Sequence, residues 1–311
     1  MKAIILEGFG EVDQLSFTEI PTPELTAGQV LIRSMAISIN PVDVKTRAGS
    51  GIASKFKHTD PIILGWDVAG IVEETNSSLF KKGDEVFGMV HFPGQGKAYA
   101  GYIAAPDSHL ALKPANVSFP QAAATTLAAL TAWQAFHKHG RIKPGDKVLV
   151  HAASGGVGHF AVQLAKASGA YVIGTSSAEN KDFVLSLGAD EHFDYRSGNF
   201  AEHYHDIDII LDTVGGDYVS RSIPVLKKNG FLVSIPGRIS EADQKKALET
   251  GVTVANILVH SNGDDMKQLA DLLESGKLKP HISKVFAFED MASAHLQLES
   301  HRTKGKIVLT F

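Results

Sequence analysis

The run Ala153-Ser154-Gly155-Gly156-Val157-Gly158 joins the apolar stretch Lys147–His151 to the amphipathic stretch Gly158–Ala167, an order that suits phosphate binding. A strand that enters a glycine turn and leaves as a helix gathers backbone N–H groups and the positive end of a helix dipole at one point. Gly155 allows the chain to approach a pyrophosphate, and Gly158 allows the helix to pack closely on its strand. Gly169 then stops the helix, and a second apolar run, Tyr171–Thr175, follows. That continuation favours a dinucleotide site over a plain tight turn between packed elements.

The end of the second run bears on which dinucleotide fits. NAD sites usually carry an acid about 20 residues past the glycines, on the ribose 2′-hydroxyl. Here Ser176 and Ser177 stand at that point, with no acid before Glu179. Hydroxyls can donate to a 2′-phosphate that a carboxylate would repel. Lys181 opens the next helix, and Tyr195-Arg196 follow the third strand, so these side chains can close on the same phosphate. Each charge-assisted hydrogen bond contributes roughly 1.5–3 kcal/mol. Two of them favour NADPH over NADH by about 100- to 10,000-fold. The alternative is that the serines only cap the following helix. The loops at Val214 and at Ile235-Pro236 follow later strands at their carboxyl ends, where a doubly wound sheet binds ligands.

The elements that must position these residues change character along the chain. Residues 1–119 read as short β-like runs with dense Gly and Pro punctuation: Ala3–Leu6, Gln29–Ala36, Gly70–Glu74, Glu85–Met89 and Tyr99–Ala104. From Pro120 to residue 259 strands and helices alternate, the pattern of a doubly wound parallel sheet in an α/β protein. Residues 260–311 lose that alternation and are expected to return to the first domain. A length of 311 residues accommodates two domains. A net charge of −4 offers no basic field for nucleic acid. The absence of cysteine excludes disulfides and thiolate-bound metals. The apolar start Ala3–Leu6 is too short for a signal peptide or a membrane span, so a cytoplasmic location with no membrane partner is expected.

Ser38-Ile-Asn40-Pro-Val-Asp43-Val-Lys45-Thr-Arg-Ala-Gly49, Leu64-Gly65-Trp66-Asp67-Val-Ala-Gly70, Lys82-Gly-Asp-Glu-Val-Phe-Gly88, the glycine turn and Lys304-Gly-Lys-Ile-Val-Leu309 form an ordered set. In combination they resemble the zinc-independent quinone oxidoreductases of the medium-chain dehydrogenase/reductase superfamily. The resemblance implies a GroES-like β-barrel domain, a Rossmann domain, NADPH bound in the cleft beside it, and a homodimer. It also implies that Asn40 lies by the nicotinamide and that Thr126 holds its ribose or ring. Asn40-Pro41 equally makes a good turn, and Thr126 a helix cap. Where zinc-dependent relatives place a ligand cysteine, this chain has Asn40; where they carry Gly-His-Glu, it has Gly65-Trp66-Asp67. Indole cannot ligate a metal and an amide oxygen replaces a thiolate poorly, so no catalytic zinc is expected.

Without a Lewis acid, the acceptor must already be electrophilic. Quinones and α,β-unsaturated carbonyls meet that condition, and orientation against the nicotinamide can supply most of the catalysis. Trp66 either fills the space of the missing metal or walls the substrate pocket. Tyr99 and Tyr102 are candidate proton donors, with packing in a strand as the alternative. The reading is an NADPH-dependent quinone or enone reductase. An enoyl thioester reductase and a non-catalytic NADPH-binding regulatory protein are the competing readings.

Overall fold

Lys2–Leu6 (β1) and Leu15–Glu19 (β2) pair antiparallel as a two-stranded sheet. Gln29–Ile39 (β3) is apolar over most of its length because it is covered on both faces. It pairs antiparallel with Asp67–Thr75 (β4), which pairs with Glu85–Met89 (β5). Tyr102–Pro106 (β6) also pairs with β3, and Leu110–Leu112 (β7) closes on β5. The expected strand at Tyr99–Ala104 begins three residues later than its pattern predicts. Tyr99 and Gly101 instead exchange hydrogen bonds with β1, Ile4 N–H to Tyr99 O and Gly101 N–H to Lys2 O, both at 2.9 Å. Short helix Pro41–Arg47 (α1) follows β3, and the alanine-rich segment forms helix Phe119–Trp133 (α2).

The alternating segment builds a six-stranded, all-parallel sheet. Its strands are Lys147–Val150 (β8), Tyr171–Ser176 (β9), Glu191–Asp194 (β10), Ile207–Asp212 (β11), Leu226–Ser234 (β12) and Thr253–Asn256 (β13), in the order β10-β9-β8-β11-β12-β13. Between them run Gly158–Ala167 (α3), Lys181–Ser186 (α4), Phe200–His203 (α5), Tyr218–Ser222 (α6) and Glu241–Thr250 (α7). Ile173, Leu149, Ile210 and Leu232 lie side by side across four strands and are all buried. Each such side chain stabilises the fold by about 1.5–3 kcal/mol relative to an exposed one. Strand β12 starts at Leu226, earlier than the apolar run at Phe231 suggests, because Lys227–Gly230 form a register shift against β11.

The tail comprises Gly263–Glu274 (α8), Ile282–Ala287 (β14), Met291–Glu299 (α9) and Lys306–Thr310 (β15). Strand β15 pairs parallel with β14 and antiparallel with β3, completing a seven-stranded sheet with β14, β4, β5, β7 and β6. This computed structural model describes all 311 residues. They divide into one unit of residues 1–130, 259–276 and 280–311, and another of residues 131–258 and 277–279. The division falls within α2 rather than at Pro120. Part of the reason is that Leu127 N–H donates to Asp67 Oδ1 at 2.9 Å, which binds most of that helix to the first unit. No helix is long and apolar enough to cross a membrane.

Gly158 makes the closest approach of the glycine turn. A methyl group there would sit 2.2 Å from Ala152 O and 2.8 Å from Ala153 Cα. Gly158→Ala is therefore expected to destabilise the six-stranded unit by about 1–3 kcal/mol, read as a lower midpoint in urea. Ser154→Ala, four residues earlier and half-exposed, should leave the midpoint unchanged.

Candidate functional site

The glycine turn leaves β8 with two internal closures. Ala153 N–H donates to Thr175 O at 2.8 Å and Gly155 N–H to Ala152 O at 2.9 Å. The amides of Ser154, Gly156 and Val157 meet no acceptor within the protein. Helix α3 has Val157 at its N-cap and no side-chain cap. Three open amides before an uncapped helix form a cradle that fits a pyrophosphate. Ala153, expected to touch the cofactor, is fully buried with its amide tied to β9; it holds the turn from beneath.

Strand order reverses between β8 and β11, and both strand ends are pinned there. His151 N–H donates to Leu211 O at 3.0 Å, and Thr213 Oγ1 donates to His151 O at 2.9 Å. The His151 ring is buried between Phe200 and Tyr218, with Thr175 Oγ1 at 3.2 Å and Ser222 Oγ at 3.1 Å from its two nitrogens. Burial pushes this imidazole down to about 3, so it is neutral. Asp212 Oδ1 accepts from Val214 N–H and Gly215 N–H at 2.9 Å, and Oδ2 accepts from Ser234 Oγ–H at 2.8 Å. These bonds draw the Val214 loop to Ile235 and Pro236, bringing the two predicted loops side by side. The exposed Val214 side chain is left facing outward.

At the tip of β9, Ser176 Oγ lies 2.8 Å from His192 Nε2 and donates to Ser177 O at 3.1 Å. Tyr195 N–H donates to Ser176 O at 3.2 Å, which brings the exposed Tyr195 ring to the same place. Lys181 is exposed at the start of α4. Arg196 stacks over the Tyr195 ring and pairs with Glu179 at 3.1 Å, so its charge already has a partner. Ser177 is buried and its hydroxyl accepts from Asn180 Nδ2 at 3.2 Å.

The other unit holds a buried polar network. Asp67 Oδ2 accepts from Ser38 Oγ–H at 2.5 Å and from Asn40 Nδ2 at 2.8 Å, while Oδ1 takes Leu127 N–H. Lys306 Nζ donates to Asn40 Oδ1 and to Ile39 O and lies 3.6 Å from Asp67 Oδ2. A donor-only ammonium on one side and a carboxylate on the other fix which way the Asn40 amide points. Asn40 N–H donates to Asp43 Oδ2 at 2.8 Å, while Asp43 Oδ1 has no partner. Burial first, and the Asp67 charge second, raise the Asp43 carboxyl to about 7. Burial likewise lowers the Lys306 ammonium, with Asp67 and Asp43 opposing.

Three expected site residues are packed inward. Trp66 is fully buried, donates Nε1–H to Gly94 O at 2.7 Å and meets the Phe92 ring edge-on. Tyr99 is fully buried with its hydroxyl 2.9 Å from His295 Nε2. Desolvation, followed by the Asp43 charge, pushes its phenol well above the usual range, so it is a poor proton donor to a substrate. Thr126 is buried in α2 and donates Oγ1–H to Ala123 O at 3.0 Å.

Two family models match, "Alcohol dehydrogenase GroES-like domain" over residues 26–115 and "Zinc-binding dehydrogenase" over residues 187–309. The chain is 36% identical to 2-methylene-furan-3-one reductase of Solanum lycopersicum, covering 99% of this chain and 79% of that protein. The quinone oxidoreductase from Coxiella burnetii superposes with a TM-score of 0.94 at 37% identity, over 100% of this chain and 99% of that one. Escherichia coli quinone oxidoreductase complexed with NADPH superposes with a TM-score of 0.89 at 28% identity, over 100% of both chains. The chain belongs to the quinone oxidoreductases of the medium-chain dehydrogenase/reductase superfamily.

Zinc does not fit the residues that this family member carries. Asn40 has both amide ends engaged by Lys306 and Asp67, Trp66 has no lone pair to give, and the Lys306 ammonium against Asn40 would repel a cation there. No group of three His, Cys, Asp or Glu side chains is arranged to hold a metal ion. Lys306, Asp67, Asp212 and His192 were not identifiable as site residues from sequence. The lysine lies within the quoted Lys304–Leu309 motif, but burial of one lysine among many exposed ones is a tertiary fact.

Lys306→Met removes the counter-ion of a buried carboxylate and should cost about 3–5 kcal/mol, with Lys306→Met/Asp67→Asn recovering part of it in urea unfolding. Asp43 gives a pH signature. Its folded value of about 7 lies above the ordinary 3.8, so the folded chain holds an extra proton between them. This group's contribution is therefore largest below about pH 4 and falls as pH rises to about 7. Relative to wild type, Asp43→Asn should gain stability across that window; parallel stability curves would contradict the assignment.

Proposed function

We propose that the chain is an NADPH-dependent reductase that passes hydride to a quinone or an α,β-unsaturated carbonyl without a metal. The observation that carries this reading is the tip of β9, a strand that itself carries no acid, furnished with Ser176, Tyr195 and Lys181 beside an open pyrophosphate cradle. The coenzyme supplies the hydride when bound. The Ser154, Gly156 and Val157 amides hold its pyrophosphate, and the end of α3 adds its dipole. Asp212 fixes the Val214 loop against Ile235-Pro236 to wall the nucleotide. Asn40 retains one amide hydrogen beyond the one given to Asp67 and presents it, in a fixed orientation, to the nicotinamide or the acceptor carbonyl.

The acceptor class follows from the Asn40–Asp67–Lys306 network. The Asp67 oxygens are taken up by Ser38, Asn40 and Leu127 rather than left free to draw a proton from an alcohol, which suits acceptors that are electrophilic already. The names of the tomato and Coxiella relatives support enone and quinone acceptors. Tyr99 is engaged by His295, which leaves solvent or Tyr102 to protonate the product. We also propose a homodimer formed along β13, the outer strand of the six-stranded sheet.

Loss of NADPH absorbance with a quinone, a short enal and an enoyl thioester tests the reading. Turnover is expected with the first two, and none with any acceptor despite tight NADPH binding would overturn it. Lys181→Met and Ser176→Ala should each weaken NADPH by about 10- to 100-fold and NADH little. Equal losses for both coenzymes would refute the phosphate assignment.

A further inference from the structure

Ser176 is held at the tip of β9 by a neighbour that the proposed function does not use. Strand β10 runs parallel to β9 with His192 opposite Gly174 and Asp194 opposite Ser176. Gly174 has no side chain, so the imidazole leans along the strand to the next position on that face, Ser176. The hydroxyl has one proton and two neighbours, Ser177 O at 3.1 Å and His192 Nε2 at 2.8 Å. With that proton on the Ser177 carbonyl, the Nε2–H tautomer of His192 is the donor to Ser176 Oγ. Two hydrogen bonds and burial hold Ser176, which is 3% exposed.

An anion arriving at this tip changes the arrangement in a defined way. Ser176 can turn its proton from the Ser177 carbonyl to the anion while His192 Nε2–H continues to donate to Oγ. A second proton on the ring, at Nδ1, places a positive charge one hydroxyl away from the anion. We propose, on the strength of the NADPH reading, that His192 is a positioning residue for the 2′-phosphate, and that NADPH binding, unlike NADH binding, draws a proton onto it.

The surroundings set the starting state. Lys181 faces His192 from α4, Asp194 shares its face of β10, and Ser176 and Ser177 meet it from β9. Glu191 points to the other face and accepts from Tyr171 Oη–H at 2.6 Å. Arg196 is paired with Glu179 and stacked on Tyr195. Strand β10 is the edge strand opposite β13, so no further strand contributes a charge. Burial and Lys181 lower the imidazole from its usual value, with Asp194 and a hydrogen bond to the Ser177 backbone opposing, which favours the neutral ring until a dianion arrives. Imidazole is the side chain best placed to make that change near neutrality.

The experiment measures NADPH and NADH dissociation constants from about pH 5.5 to about 8.5 for wild type and His192→Gln, with calorimetry in two buffers of different ionisation enthalpy. Glutamine can still donate to Ser176 but cannot gain a charge. The 2′-phosphate itself titrates near pH 6, equally in both proteins. Wild type should bind NADPH more tightly as pH falls and take up a proton on binding. His192→Gln should lose about tenfold in NADPH affinity near pH 6, little near pH 8.5, and the linked proton. Unchanged NADH binding shows the variant folded. The same pH slope and proton uptake in both proteins would overturn the inference with the NADPH preference intact. A wild type with no preference at any pH would overturn the NADPH reading and this inference with it.

Discussion

Asp67 is the carboxylate on which the first unit converges. It collects a hydroxyl from β3, an amide from the residue that opens α1, a backbone N–H from α2 and, through Asn40, the ammonium of β15. Three segments distant in sequence, at residues 38–40, 127 and 306, are thereby held at fixed directions around two oxygens. Such a buried cluster is rarely the most stabilising way to fill space, since desolvation offsets most of the Coulomb attraction. Its advantage is geometric. A well-packed apolar core tolerates small slides, whereas a satisfied polar network admits one arrangement. The Asn40 amide inherits that definition.

The second unit achieves the same end by a different route. Its nucleotide cradle contains few charges; it is made of backbone amides that the fold declines to satisfy. Gly158 and Gly174 remove side chains where helix, strand and turn must touch, His151 ties the end of β8 to β11, and Asp212 ties the end of β11 to β12. The His151 ring, neutral and boxed by Phe200 and Tyr218, acts there as a spacer with hydrogen-bonding ends. Rigidity comes from close packing, and affinity for an anion from what is left open.

Local chemistry was legible and long-range pairing was not. The glycine turn, α3 and the acid-free strand β9 could be read because strand, turn and cap signals lie within a few residues of one another. Strands β2 and β7 escaped notice, one being half-exposed and the other three residues long. Tyr99 and Trp66 each kept two readings in the sequence for one reason: an aromatic in a loop-rich segment can equally line a pocket or fill a core. Both side chains are fully buried. Lys306 and His192 depend on which strand lies beside which. That information resides in sheet order, and no window of sequence contains it.

The pairing of β15 with β3 has a bearing on how the chain is made. Residues 131–258 and 277–279, the unit that carries the cradle, are all synthesised before residues 306–310. Strand β3, near the start, meanwhile lacks one neighbour, and Asp67 lacks its ammonium. The part translated first must therefore wait longest for its final form. A nascent chain would hold a finished nucleotide-binding lobe between two ends still seeking each other, a window in which chaperones and proteases have most to act upon.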